Sequence, residues 1–402
     1  MNKTRYLILG GGPAGLAFAN ALLKKGETSF LVLEKEADAG GLCRSKTIGG
    51  LPVDIGGGHF LDVRSKRVND FAFQFMPAEM WNGFTRNSQI YFDGALMGSP
   101  FEAHLWQLNI DRQVEYLKAI AVAGCNTGVP MPESFTAWIR WKLGDAIAKD
   151  YMLPYNRKMF GDDLDTLGTY WLSKLPNVSF EDTLRSCLAH RFYGEQPCHA
   201  QFKYPREYGY GELFIRMAAA LGDRFVPNTG ARQIDFNTNT VNGTYQAERI
   251  VTTIPWVEFT QIAGMPDPLL AGIRKLKFSA VQIEYFDQPY PHPTAAQWVY
   301  DPNPETSYHR VMMMSNFVPG CNGYWTETNA NRVEKPAGRY RYLNQYAYPF
   351  NTLEKPQLMR DLLQWARTKQ VYGLGRWGEW EHYNSDVVME RALDLADTLT
   401  GA

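Results

Sequence analysis

Three glycines near the start have the spacing of a phosphate cradle. Gly10, Gly12 and Gly15 form G-x-G-x-x-G. The first glycine suits a tight turn, the second lets a pyrophosphate approach the backbone, and the third allows close helix–strand packing. Glu34 follows at the distance of a ribose-binding acid. A second glycine-rich loop comes directly after it, with Gly40, Gly41, Arg44 and Ser45, and Gly49, Gly50, Gly56, Gly57 and Gly58 continue the run. Such density suggests backbone pressed close to a ligand. The flanking residues supply the elements needed to hold these groups. Tyr6–Leu9 is an apolar run of the kind that forms a buried parallel strand, Leu16–Lys25 has helical composition, and Ser29–Leu33 is a second strand ending at Glu34. The helix N-terminus supplies free N–H groups and partial positive charge for phosphates. The second loop indicates an extended dinucleotide, FAD rather than a nicotinamide cofactor. A second G-x-G-x-x-G is absent, so any other reductant has to visit the open pocket.

The rest of the 402 residues is organised more loosely. Helical patterns run over Gln113–Ala123 and Phe135–Tyr151, strands over Gln233–Phe236 and Arg249–Pro255, and alternation over Val281–Tyr285 and Arg339–Tyr342. A last helix spans roughly Val387–Leu399. The expected fold is α/β: a Rossmann-like FAD-binding domain (1–90, 202–277 and 350–402), a mostly helical insertion (91–201) and an antiparallel-sheet substrate domain (278–349). With 41 basic against 42 acidic residues, binding of nucleic acid through bulk charge is not expected. The five cysteines include no C-x-x-C, and His190, His199 and His292 have no metal-ligand spacing, so neither a disulfide framework nor a metal is expected. No apolar run reaches the roughly 18 residues of a membrane span, and the expected location is the cytoplasm. Aromatics at 14% suit either a pocket for ringed ligands or an aromatic core. Oligomeric state has no signature.

The stretch Tyr6–Ser45, with Asp54–Phe60, resembles the FAD-binding amine oxidase and protoporphyrinogen oxidase superfamily. Leu153-Pro154-Tyr155-Asn156-Arg157-Lys158-Met159-Phe160-Gly161 resembles a segment of the UDP-galactopyranose mutases. So do Gly375-Arg376-Trp377-Gly378-Glu379-Trp380 with Asn384-Ser385-Asp386, the strand Tyr308–Val311 with Ser315–Phe317, and a turn at Tyr346–Pro349. The resemblance implies an isomerase interconverting pyranose and furanose forms of a nucleotide-linked hexose without net redox. Reduced FAD acts there as nucleophile, with NAD(P)H or another reductant supplying electrons. It implies cofactor contacts at Gly10, Gly12, Pro13, Ala14, Gly15, Glu34, Lys35, Gly41, Leu42, Cys43, Arg44, Gly57, Gly58, His59, Gly375, Arg376, Asn384 and Ser385. His59 and Arg310 are the implied catalytic residues, and Tyr155, Asn156, Tyr300, Arg310 and Tyr348 the implied substrate contacts. Read from residue type alone, Arg310 also suits a surface ion pair, His59 a structural role, the tyrosines a core and Asn156 a helix cap. An amine oxidase or dehydrogenase is the alternative function.

The match is incomplete on the substrate side. A second diphosphate-binding arginine, four residues after a tryptophan matched by Trp171, falls on Leu175, with Lys174 beside it. A tyrosine falls on Phe317, an asparagine near His199, and a late tyrosine near His382 or Tyr383. These departures single out Arg310 as the expected principal cation for a diphosphate.

Overall fold

A computed structural model describes residues 1–172, 177–194, 200–333 and 337–401. The expectations on Lys174, Leu175 and His199 lie outside the described residues. The first strand, Asn2–Leu9, is buried continuously from Tyr6 to Leu9 because it has parallel neighbours on both sides, Phe30–Leu33 and Tyr245–Thr252. Phe225–Val226 and Val371–Gly373 add further parallel pairings, and three short strands extend the sheet beyond Tyr245–Thr252. Helix Pro13–Lys24 covers one face. It begins with proline at its first turn, stops at Lys25–Gly26, and packs on the last helix, Ser385–Thr400. It is buried all round, every residue from Ala14 to Leu22, with Leu16, Phe18 and Leu22 fully so. Full burial of one such side chain contributes about 1.5–3 kcal/mol.

The second sheet has seven strands, ordered Tyr340–Pro349, Phe278–Phe286, Tyr324–Asn329, Arg310–Met313, Trp298–Tyr300, Ser88–Phe92 and Ala95–Gly98. It reaches outside the 278–349 span: the Ser88–Gly98 hairpin joins it, and Ser88–Phe92 runs parallel to Trp298–Tyr300. Two local expectations are corrected here. Tyr346–Pro349 is the end of a ten-residue strand rather than a turn, because Tyr348 and Pro349 pair with Ser279 and Phe278. Ser315 and Asn316 lie in a 3₁₀ turn after the Arg310–Met313 strand, not within it.

Helices Ile110–Ala121, Phe135–Ile147, Leu153–Phe160 and Phe180–Ala189 form the insertion. Gly144 breaks the second of these at φ +75°, where an added Cβ would lie 2.4 Å from the Ala119 carbonyl oxygen. A π-helical turn, Ala148–Met152, precedes Leu153–Phe160. Asn156 from this helix and Tyr151 from the turn before it both line one cavity. The aromatic residues serve both expected purposes. Trp256, Trp325 and Trp380 are core, whereas Tyr155, Tyr300 and the otherwise buried Trp298 face a cavity. No helix among the described residues is long and apolar enough to cross a membrane.

Candidate active site

The two glycine loops meet over a cavity of about 340 Å³ at the C-terminal ends of the first sheet's strands. Gly10 has φ +104°, where a side chain would be strained, and its Cβ would collide with Thr253 Oγ1 at 2.5 Å. Gly15 is packing: a Cβ there would fall 2.0 Å from the Gly10 carbonyl oxygen. Gly12 is different. Its Cβ would meet nothing nearer than Gly41 Cα at 3.8 Å, and it borders the cavity. The space before Gly12 is therefore left for a ligand. No side chain caps the helix that starts at Pro13, so its first amides are free for phosphate oxygens. These features fit a dinucleotide.

Glu34, buried at the strand end, accepts hydrogen bonds from the amides of Gly11 (2.6 Å) and Glu36 (2.9 Å). Burial pushes its carboxyl up, and those two amides pull against the shift. The residue thus ties the first loop to the strand as well as lining the cavity, leaving further lone pairs for a ribose. Arg44 folds back, donating to the Gly41 carbonyl (2.9 Å) and pairing with Glu36 (3.3 Å). Lys35 pairs with Glu258 (3.3 Å). Pro13, Ala14, Gly41, Leu42, Cys43, Arg376, Asn384 and Ser385 also line this cavity. Gly15, Gly57 and Gly375 do not face it, and Gly58 lines the second cavity instead. Beneath the second loop, the buried Asp54 carboxylate accepts from Ser45 Oγ (2.5 Å), Tyr204 Oη (2.7 Å) and the Tyr210 amide (3.1 Å). Burial raises its pKa to about 6 against those bonds.

A second cavity of about 640 Å³ adjoins the first, and Leu42, His59, Arg376 and Asn384 line both. Among the described residues, Arg376 is held by carbonyls, those of Tyr383 (3.0 and 2.8 Å) and Ala347 (3.0 Å). His59 Nδ1–H donates to the Gly57 carbonyl (3.1 Å). That assigns the tautomer and leaves the Nε2 lone pair unused. Burial, reinforced by Arg376, lowers the His59 pKa to about 4, so the ring is neutral at pH 7.

Arg310 stands on the wall of the second cavity, but it is not an isolated cation. Its Nε and Nη2 both donate to Glu327 Oε2 (3.0 and 2.5 Å), and Nη2 lies 3.4 Å from Tyr348 Oη. Glu327 is 1% exposed and also accepts from the Gly58 amide (3.1 Å). Burial would raise its carboxyl, but the Arg310 charge holds it well below the usual carboxylate range. The pair is therefore neutral overall, and Arg310 offers a ligand directed donors more than net charge.

The sequence reading missed Arg86. It donates through Nη2 to Tyr300 Oη (2.7 Å) and through Nε to Ser88 Oγ (3.1 Å), and its guanidinium lies 4.7 Å from the Trp298 ring centre. Among the described residues, no carboxylate pairs with Arg86 or Arg376. Arg86 and Arg310 together draw the Tyr300 phenol down despite its burial. Tyr155 packs edge-on to Tyr300 at 5.7 Å. Asn156 donates to the Met152 carbonyl of its own helix (2.8 Å) while lining the cavity. Arg86 lies in the two-residue link between strands Trp81–Thr85 and Ser88–Phe92, which has no motif to mark it. Glu327 was equally unmarked within Trp325–Thr328. Phe317 lies outside both cavities, packed among Phe84, Phe202, Tyr204 and Trp298, so its missing hydroxyl removes nothing from the site. His382 lines the second cavity edge-on to Tyr348 (5.1 Å), and Tyr383 lines the first.

Residues 8–75 match the NAD(P)-binding Rossmann-like domain family, so the class is a dinucleotide-binding α/β fold. Over its whole length the chain is similar to the crystal structure of reduced UDP-galactopyranose mutase, with TM-score 0.89, 21% identity, and coverage of 99% of this chain and 94% of that one. It is also similar to cyclohexylamine oxidase from Brevibacterium oxydans IH-35A (TM-score 0.67, 13% identity, 99% of each chain). Putrescine oxidase bound to putrescine is a further likeness (TM-score 0.64, 15% identity, 100% and 99% coverage). Among curated proteins, an uncharacterised protein in the nifH2 3′ region of Methanothermococcus thermolithotrophicus is 52% identical over 52 residues, 13% of this chain. That match spans about half the length of the curated relative, 49%. The expected α/β fold, a Rossmann-like domain with a helical insertion and a largely antiparallel second sheet, is thus borne out, in the form that UDP-galactopyranose mutase also has.

Proposed function

We propose that the chain is a flavin-dependent nucleotide-sugar mutase, an isomerase interconverting the pyranose and furanose forms of a nucleoside-diphosphate hexose. The observation that carries this reading is the second cavity's pair of guanidiniums, Arg86 and Arg310, flanking Tyr300 beside the dinucleotide cavity. FAD would be held by the Gly10–Gly15 loop and its helix N-terminus, by Glu34, and by Gly41, Leu42, Cys43 and Arg44. Arg376, Asn384 and Ser385 would hold its other end. Reduced FAD bound there supplies a nucleophile at the anomeric carbon, with no net redox.

The protein's own part is positioning and charge. Arg86, Arg310 and the hydroxyls of Tyr300 and Tyr348 donate to the diphosphate, each charge-assisted bond contributing about 1.5–3 kcal/mol. A diphosphate stabilised there leaves the sugar more readily. Neutral His59, at the junction of the cavities, presents Nε2 as acceptor for a sugar hydroxyl proton. Tyr155 and the aromatic walls exclude water from the open-chain sugar. The same mouth admits NAD(P)H or another reductant when the sugar is absent. The amine oxidases share the fold, but an ammonium substrate here would face the uncompensated Arg86 and Arg376, an unfavourable like-charge arrangement.

The test is to incubate dithionite-reduced and oxidised protein with a panel of nucleotide hexoses and separate the products by chromatography. New isomers from the reduced form alone are the expected result. Hydrogen peroxide formed from an amine, with no isomer from any nucleotide sugar, defeats the reading.

A further inference from the structure

The second cavity continues past the guanidiniums into the helical insertion. The path is traced by ring contacts: Tyr300 to Tyr155 at 5.7 Å, Tyr155 to Tyr151 at 6.1 Å, and Tyr151 stacked on Phe101 at 4.8 Å and 12°. At this end stands Glu102. It lines the cavity and is 8% exposed, and its carboxyl receives no hydrogen bond from another described residue. Burial pushes the carboxyl up, and Lys142, which lines the same cavity, opposes that shift. A carboxyl so buried, with only its own backbone amide among the described residues to satisfy it, is costly to keep unless a ligand adds partners. Nothing in the flavin or diphosphate chemistry uses it.

We propose that the Glu102 end is a guanine subsite, so that the nucleotide is a guanosine diphosphate carrying the sugar. This rests on the nucleotide-sugar reading above and adds the base to it. A carboxylate offers two parallel acceptors. Guanine is the common base whose edge presents two adjacent donors, N1–H and the N2 amino group, and its neighbouring O6 needs a donor such as the Lys142 ammonium. Uracil presents one N–H between two carbonyl oxygens, so one carboxylate oxygen would face a carbonyl. Adenine and cytosine each present an amino group beside a ring acceptor. Phe101 and Tyr151 supply apolar faces against which a purine can pack.

Dissociation constants of GDP, IDP, UDP, ADP and CDP for the FAD-loaded protein test this. GDP is expected to bind at least tenfold more tightly than UDP. IDP, which lacks the N2 amino group, is expected to bind at least fivefold more weakly than GDP. Glu102→Gln replaces one acceptor with a donor and so matches the N3–H and O4 of uracil. It should weaken GDP at least tenfold while leaving UDP unchanged or tighter. GDP and UDP binding within threefold of each other, or a GDP/UDP ratio unmoved by Glu102→Gln, overturns the inference. The IDP comparison keeps the test intact if the variant does not fold. If none of the five binds below millimolar, the nucleotide reading of the cavity falls with it, whereas tight but base-blind binding defeats the guanine subsite alone.

Discussion

Arg86→Ala and Arg310→Ala should separate binding from stability. Each removes a guanidinium from the wall of the second cavity, and each should cost a bound diphosphate about 1.5–3 kcal/mol, roughly 10- to 150-fold in Kd. The two differ in what they leave behind. Arg310→Ala strips the principal partner from Glu327, which is 1% exposed and keeps the Gly58 amide (3.1 Å), Tyr348 Oη (3.4 Å) and the more distant His309 Nε2 (3.6 Å). Removing one member of a buried ion pair destabilises by about 3–5 kcal/mol, so the melting temperature should fall by several degrees. Arg86→Ala abandons no carboxylate; it loses bonds to Tyr300 and Ser88 and its place over Trp298. Its melting temperature should move little. The assay is a thermal melt of each variant alongside titration with a nucleoside diphosphate, followed by flavin or tryptophan fluorescence. Arg310→Ala/Glu327→Ala should recover much of the lost stability and none of the lost affinity. Unchanged nucleotide affinity in Arg86→Ala would show that the diphosphate does not sit beside Tyr300. An unchanged melt in Arg310→Ala would show that Glu327 does not depend on it.

Two further expectations concern the cofactor side. Gly12→Ala points a methyl into the ligand space and meets no protein atom within 3.8 Å, so the protein should fold but bind FAD weakly; Gly15→Ala, with its Cβ 2.0 Å from the Gly10 carbonyl oxygen, should misfold. Soluble expression and the flavin absorbance of the purified variants distinguish the two. His59 has a pKa of about 4 in the fold against about 6.5 unfolded, so the unfolded chain binds the extra proton between those values and stability falls as pH drops through that window. Between pH 7 and pH 5 the wild type should lose about 2 kcal/mol that His59→Gln does not lose. Urea melts at both pH values check this, and equal losses in the two proteins count against a neutral, buried His59.

The cofactor half of the site was legible because backbone geometry constrains it. Gly10, Gly12 and Gly15 each meet a separate steric demand, and such demands leave a fixed spacing. The substrate half was less so. Arg86 reaches Tyr300 across 214 residues of sequence, through a parallel pairing of Ser88–Phe92 with Trp298–Tyr300 that no local pattern announces. Glu327 alternates with threonines on a strand buried on both faces, where polarity alone could not mark it as the partner of Arg310. Phe317 shows the converse error. A position judged by alignment to a motif turned out to be core, because the 3₁₀ turn Met314–Asn316 carries it away from the cavity. The Tyr346–Pro349 segment was expected to turn by its resemblance to a mutase segment, but it is strand, and Pro349 at its end is tolerated there.

The most direct test of the mutase reading counts products per electron pair. The FAD-loaded protein is reduced anaerobically with one equivalent of dithionite and given a large excess of nucleotide hexose, while flavin absorbance and isomer yield are followed together. The expected result is many isomer molecules per flavin, with the flavin still reduced at the end. One product or fewer per flavin, formed as the flavin returns to its oxidised spectrum, would contradict an isomerisation without net redox and assign the chain to the oxidoreductases that share its fold.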